Sequence, residues 1–465
     1  MHSLWTSTFS QQNSHQDPII NMPEFEALQG DISTNVLIIG GGITGILSAY
    51  MLAQANVDYI LVEADRICNG VTANTTAKIT SQHGLIYHKM LKRFGIEKAQ
   101  MYLAANQASL EQYRLLSQTF GCDFESKDNY VYSVNNRKIL DQELDALHKI
   151  GGIDVEMIEQ LPLPFSVAGA VKFANQAQFH PLKLLSQLAS GLNIYEHTKV
   201  QELKTCQASL PEMHSKITRQ QVYTKNIAVT EHGSITADKI IIATHFPILN
   251  KHGMYFLKMY QHRSYVIALT QAQNVSGMYV DEAKTGLSFR NYEDLLLLGG
   301  GSHRTGKHGG NWAELTAFAK KYYPKATVAY QWATQDCMPL DDIPYIGPYS
   351  KSTSGLYTAT GFHKWGITSA MTAAMILRDM ILEKDNPYAP VFHPSRTMLR
   401  PQLFINACEA TANLLTPTKK RCPHMGCALK WNPVEHTWDC PCHGSRFTKE
   451  GELIENPATD DLKIH

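Results

Sequence analysis

Residues 36–63 read VLIIGGGITGILSAYMLAQANVDYILVE, and the architecture is read outward from them. Val36–Ile39 is a short apolar run, as expected of a buried parallel strand. Helical spacing follows through Gln54, and Tyr59–Glu63 is a second strand, so the stretch forms a βαβ unit. Between the first strand and the helix, Gly40-Gly41-Gly42-Ile43-Thr44-Gly45 fits G-x-G-x-x-G. Alone that pattern is weak. Here it follows a strand, opens a helix and is answered by Glu63 at the end of the next strand. Gly40 allows the tight turn, Gly42 lets the backbone approach a pyrophosphate, and Gly45 lets helix and strand pack closely. The helix N-terminus favours phosphate charge, and the Glu63 carboxylate is placed to take both hydroxyls of an adenosine ribose. The motif predicts a dinucleotide site without choosing between NAD and FAD, and a glycine-rich turn without a ligand is the plain alternative. A hydropathy scan would flag Val36–Ala53 as a membrane span. Its consecutive glycines and its length point instead to a strand, a turn and a buried helix.

Beyond this unit, Ile96–Phe120, Ile139–Ile150 and Pro181–Ser190 read as helices, and Tyr130–Val134, Ile194–Tyr195 and Lys239–Ala243 as strands. Leu295–Leu298 is an apolar run ending in Gly299-Gly300-Gly301. Gly355–Ala359 is a strand leading into the turn Gly361–Gly366, and Thr368–Ile381 is a long helix. Strands and helices alternate early and return late, which predicts an α/β core completed from far down the chain, with a β-rich insertion between. Glu383–Arg396 carries three prolines and reads as a linker, and Thr397–Leu415 as a connecting helix. With 465 residues, two to four folding units are expected. Hydrophobic residues are 44% and charged residues 18%, the balance of a globular chain with a core. Lys+Arg and Asp+Glu are equal at 42 each, so there is no basic bias toward nucleic acid. Residues 1–30 are polar and lack a signal-peptide layout, no transmembrane segment is evident, and a cytoplasmic location is expected.

Nine cysteines divide into five scattered ones (Cys68, Cys122, Cys206, Cys337, Cys408), expected to be buried small hydrophobes, and four between positions 422 and 442. Cys422-x-His424 and Cys440-x-x-His443 are separated by fifteen residues. Two histidines and two cysteines at such spacing predict a metal site. Zinc is one candidate. The first pair is C-x-H, not the C-x-x-C knuckle of most zinc folds, which favours iron–sulfur.

Several segments resemble the FAD-dependent oxidoreductases of the D-amino-acid oxidase and glycine oxidase superfamily: residues 25–53 around the glycine loop, Asn175–Ala189, Ile194–Val200, Ala237–Thr244, and DDIPYIGP followed by GLYTATGFHKWGIT. The resemblance spans about Asn35 to Leu382. It implies a Rossmann-like FAD-binding domain within residues 31–390 (parts near 31–90, 175–250 and 340–385), with a β-rich substrate domain interleaved. It implies FAD contacts at Gly40, Gly42, Thr44, Gly45, Glu63, Thr76, Val200, Thr244, Gly361, Gly366, Ile367 and Thr368, with Thr72–Gly84 running along the isoalloxazine. Many members carry an arginine before D-G-x-P-x-x-G that pairs with a substrate carboxylate. This chain has Asp336 there, which points to a cationic amine or another donor; a plain loop carboxylate is the alternative. Catalytic candidates are Lys78 and His83 on the flavin-crossing segment, Tyr265, Asp336, and Lys364 beside the pyrimidine loop.

The tail loops CPHMGC and CPCHGS resemble the two ligand loops of Rieske proteins. The resemblance implies one 2Fe–2S cluster, with Cys422 and Cys440 on one iron and His424 and His443 on the other. It also implies a disulfide between Cys427 and Cys442, a cluster hydrogen bond from Ser445, and a shielding loop at Asn456-Pro457-Ala458. Phe447 stands where the highest-potential members carry a tyrosine. Strands that normally precede the first loop are missing, so residues 416–465 form a shortened all-β module after a linker and helix at 391–415, leaning on the flavin domain. The whole layout implies an enzyme in which a small donor, an amine among the candidates, reduces FAD and electrons leave through the cluster to a protein carrier, a quinone or O2. Two other readings stay open: an O2-using amine oxidase with a structural cluster, and a redox sensor or electron-transfer protein without turnover.

Overall fold

The structure, a computed structural model, describes residues 3–11, 21–208, 223–249, 252–283 and 286–463. Its first sheet is built around Ile32–Ile39, which pairs in parallel with Ser234–Ile242 on one side and Tyr59–Val62 on the other. Outward from Ser234–Ile242 lie Leu356–Thr360, parallel, and Tyr345–Pro348, antiparallel; Ile194–Tyr195 closes the opposite edge. The continuous apolar runs have their physical reason here: Val36 to Ile39 and Ile240 to Ile242 are all buried, as strands covered on both faces require. Helix Ile43–Gln54 packs against the late helix Gly366–Ile381. Their buried residues, Ile46, Leu47, Met371 and Ile376 among them, share one apolar core with Val36 and Ile38.

The second sheet is the β-rich insertion. Its nine strands include, side by side, Thr327–Pro339, Met259–Thr270 and Leu295–Arg304. The short Lys78–Ile79 strand at its far edge carries chain from the glycine-loop domain into this sheet. The tail forms a third, four-stranded antiparallel sheet from Lys430–Asn432, Thr437–Asp439, Arg446–Phe447 and Leu453–Glu455.

Two expectations need correcting, and residues 3–11 of the polar N-terminal stretch pack onto the fold. Helix Leu4–Gln11 buries Leu4 and Trp5, Trp5 Nε1 donates to Thr75 O at 2.6 Å, and the Arg290 guanidinium lies 5.2 Å from the Trp5 ring. The proline-rich 383–396 segment is not a loose linker. Val391 and Phe392 are buried, and Arg396 is forked onto Asp341 at 3.0 Å through both Nε and Nη2. Of the scattered cysteines, Cys68, Cys122 and Cys337 are buried as expected but Cys408 is exposed, because it sits on the outer face of helix Pro401–Leu415. The side chain of Cys206 lies outside the described residues.

Candidate active site and metal centre

The glycine loop has the geometry its sequence requires. Gly40 adopts φ +110°, and a Cβ there would lie 2.8 Å from Ala243 O. A Cβ on Gly45 would lie 1.9 Å from Gly40 O, so only glycine lets this helix approach its strand. Gly42 caps helix Ile43–Gln54 without a side-chain hydrogen bond. Glu63 already serves the loop: its Oε2 accepts from Gly41 N at 2.6 Å and its Oε1 from Asp65 N at 3.0 Å. Burial raises its pKa, opposed by these amides.

The loop opens into one cavity of about 1200 Å³. Gly40, Gly42, Thr44, Glu63, Thr76, Lys78, Val200, Thr244, Gly366 and Ile367 line it, as do Tyr265, Asp336 and Lys364. A dinucleotide fits this volume and this cradle of glycines. Three candidates stand behind the wall instead. Gly45 is spent on helix packing. Gly361, at φ +71°, sits against Met259 and Pro339. Thr368 staples the flavin-crossing segment: its Oγ1 donates to Thr80 O at 2.9 Å and lies 3.1 Å from Thr80 N.

The catalytic candidates separate by geometry. His83 faces the cavity, but both ring nitrogens are engaged, Nδ1 with Tyr102 OH at 2.6 Å and Nε2 with Thr80 O at 2.8 Å. Burial pushes its pKa down to about 3, against the Thr80 hydrogen bond, so it holds the loop rather than moving protons. Lys78 is buried, with Nζ 3.3 Å from Thr76 Oγ1; burial, then the Arg290 charge, lowers its pKa to about 7. Asp336 is half-buried in the wall and accepts from Ser264 Oγ at 3.2 Å. Burial raises its pKa, opposed by Lys364, His245 and His363. Lys364 donates to Ser302 Oγ at 3.3 Å, and Ser302 Oγ to Ser264 Oγ at 3.2 Å, so the hydroxyls connect the lysine to Asp336. Tyr265 is drawn into the seam with the tail, donating to Glu435 Oε1 at 2.9 Å.

In the tail, the loops around Cys422 and Cys440 are brought face to face. The His424 and His443 rings are 4.9 Å apart, and Cys422, Cys440 and His443 are buried. Cys427 and Cys442 are joined as a disulfide, which leaves the Cys422 and Cys440 sulfurs to each other. The Cys422 thiol is shifted down, first by a hydrogen bond with Cys440, then, against burial, by Ser445 and the His424 and Met425 amides. His443 Nδ1 is buried and makes no hydrogen bond among the described residues. Two adjacent thiols and two adjacent imidazoles, one with an orphaned buried nitrogen, are the donor set a Cys2His2 cluster needs. Phe447 is buried in the module's small core.

The tail sits directly on the cavity. Gly444, at φ +89°, leaves no room for a Cβ, which would lie 2.1 Å from Gln261 Cγ. Gln335 Nε2 donates to Gly444 O at 2.9 Å, and Arg304 reaches Pro441 O at 3.1 Å and Cys442 O at 3.3 Å. Asn456 Nδ2 donates to Thr244 O and Phe246 O, while Ala458 N donates to Ser445 Oγ at 3.0 Å. Across the seam, Arg263 pairs with Glu435 and Glu455, and within the tail Arg446 holds the same two carboxylates together with Asp439. Glu435, Arg446, Glu455 and Asn456 line the same cavity as the glycine loop. Sequence reasoning named Thr244, Ser445 and the Asn456–Ala458 loop for other roles but missed Gln261, Arg263, Arg304, Gln335, Glu435 and Arg446, since their partners lie far off in the chain and no local pattern marks them.

Glycine-loop cavity and paired Cys–His loops together define a flavin oxidoreductase joined to an iron–sulfur module, and comparison with known proteins agrees. Residues 35–380 match the FAD dependent oxidoreductase family, and residues 403–465 match the Rieske [2Fe-2S] domain; the chain belongs to that oxidoreductase family, with FAD and a Rieske 2Fe–2S cluster as its cofactors. It is 35% identical to YhfW of Bacillus subtilis (strain 168), named as a Rieske 2Fe-2S iron-sulfur protein, over 95% of each chain. It is 24% identical to gamma-glutamylputrescine oxidoreductase of Escherichia coli (strain K12), over 47% of this chain and 50% of that protein. Glycine oxidase from Geobacillus kaustophilus shares the fold, with a TM-score of 0.63 at 16% identity over 79% of this chain and 99% of that one. The Rieske match closes the zinc alternative. Among the described residues no helix is long and apolar enough to cross a membrane.

Proposed function

We propose that this protein oxidises a small amine in the 1200 Å³ cavity and delivers the electrons through its tail to an external acceptor, a protein carrier, a quinone or O2. When bound, FAD supplies two-electron acceptance and the 2Fe–2S cluster supplies one-electron transfer. The observation that carries the reading is the shared wall: Glu435, Arg446, Glu455 and Asn456 of the tail line one cavity with Gly40, Gly42 and Thr44 of the glycine loop. The residues that would hold the flavin are Gly40, Gly42, Thr44, Glu63, Thr76, Val200, Thr244, Gly366 and Ile367, with Gly45, Gly361 and Thr368 shaping the wall behind them. Those that would hold the cluster are Cys422, His424, Cys440 and His443, with Ser445 beside Cys422.

An amine is favoured by the donor side of the cavity. Asp336 offers a carboxylate where an amino-acid oxidase would need a cation. Lys78 is poised to shuttle a proton near neutral pH. The amine named in the Escherichia coli relative points the same way. A cytoplasmic location is part of the same proposal. The test is anaerobic stopped-flow mixing with a panel of small amines, following flavin absorbance. Reduction by at least one amine is expected, with the Asp336→Asn variant raising its KM more than it lowers kcat. A flavin that no amine reduces overturns the reading.

A further inference from the structure

The helix Pro401–Leu415 has its polarity reversed. Its buried residues are Asn406 and Asn413. Asn406 Oδ1 accepts from Arg304 Nη1 at 3.1 Å, and Asn413 O accepts from Ala428 N at 3.0 Å. Its large apolar side chains face outward instead: Phe404 is 65% exposed, Ile405 55%, Leu414 46% and Leu415 77%, with Leu399 just before the helix at 76%. A surface helix ordinarily shows the opposite arrangement, and a contiguous outward apolar face marks a surface that something covers.

Charge identifies what covers it. The apolar face is flanked by Arg400 at one end and by Lys419, Lys420 and Arg421 at the other, in a chain whose net charge is zero. The helix's one acidic residue, Glu409, is held by Lys307 at 2.7 Å. Arg421 also ties the face to the first ligand loop, donating to Leu414 O at 3.2 Å and Gly426 O at 2.8 Å. Met425, 40% exposed, lies on that loop. A second copy docked about a two-fold axis would set this basic rim against itself with no acid to answer it. A bilayer offers acyl carbon to the leucines and phenylalanine, and anionic headgroups to the rim. With 15 residues the helix falls short of a span, so it lies in the interface plane.

We propose that the outward face of Pro401–Leu415, with its basic rim, docks this protein on an anionic membrane surface. The inference is independent of the donor chemistry proposed above.

The experiment is flotation of the intact holoprotein with vesicles of phosphatidylcholine alone, or with about one third phosphatidylglycerol. Flotation with the anionic vesicles only is expected, weakened by salt. Phe404→Ser with Leu415→Ser should lower the bound fraction at least about tenfold, and Lys419→Gln about fivefold, with flavin and cluster spectra unchanged. Holoprotein that stays in solution with both vesicle types overturns the proposal, as does a double variant that floats like the parent. A dimer by light scattering that the double variant converts to monomer assigns the face to a second copy and overturns it too.

Discussion

Replacing Arg263 with methionine should loosen the tail from the oxidoreductase domain. The side chain is only 2% exposed at the seam, and its fork reaches Glu435 through Nε at 3.1 Å and Nη2, and Glu455 through Nη1 at 3.1 Å. Arg263, Arg446, Glu435, Glu455 and Asp439 make a buried cluster with one net negative charge, and Arg263→Met leaves it two negative charges out of balance. Breaking a buried pair by removing one partner costs about 3–5 kcal/mol. Burial by itself would raise the Glu435 carboxyl. Arg263 and Arg446, with hydrogen bonds from Arg263 and Tyr265, hold it down at about 2 instead of 4.5. The folded value lies below the unfolded one, so this stabilisation is complete above pH ~4.5 and is lost as pH falls toward ~2. Its full size is about 3 kcal/mol. Urea titration following the cluster chromophore, with limited proteolysis of residues 391–421, reads both effects. The single variant should unfold its tail at lower urea and be cut faster. Arg263→Met with Glu435→Gln restores one net negative charge and should regain most of the loss. A single variant within about 0.5 kcal/mol of the parent, or a double variant worse than the single, would refute the electrostatic account of docking.

Gly45→Ala forces a Cβ to within 1.9 Å of Gly40 O, so the protein should purify without flavin, read by absorbance and by fluorescence after denaturation. The pH profile of flavin reduction by an amine should inflect near 7, where Lys78 loses its proton, and Lys78→Met should flatten it. Reducing Cys427–Cys442, which are 15 residues apart, should cost the tail about 3 kcal/mol in urea stability. Loss of iron on reduction should follow the same midpoint.

The dinucleotide half of the site was legible because its constraints are local. Gly40, Gly42, Gly45 and Glu63 lie within 24 residues, and each meets a steric or hydrogen-bonding demand set by its neighbours. The tail loops were legible for the same reason: C-x-H and C-x-x-H carry the donor chemistry in their own spacing. What stayed hidden depends on contacts across the chain. Nothing near Arg263 in sequence announces Glu435 and Glu455, and nothing near Gly444 announces Gln261. His83 and Trp5 show the reverse problem. A histidine on a flavin-crossing segment suggests proton chemistry until Tyr102 and Thr80 are seen to hold both its nitrogens. A tryptophan in a polar N-terminal stretch looks incidental until Arg290 and Thr75 are seen to cover it.

The central claim is that the shared wall joining Thr244 to Asn456 couples the two halves as one redox unit. Rapid-freeze electron paramagnetic resonance of the holoprotein, after anaerobic mixing with a reducing amine, tests it most directly. The reduced-cluster signal should rise in step with flavin bleaching and slow at least about tenfold when the tail is undocked by Arg263→Met. A cluster that stays oxidised while the flavin is fully reduced would contradict the account.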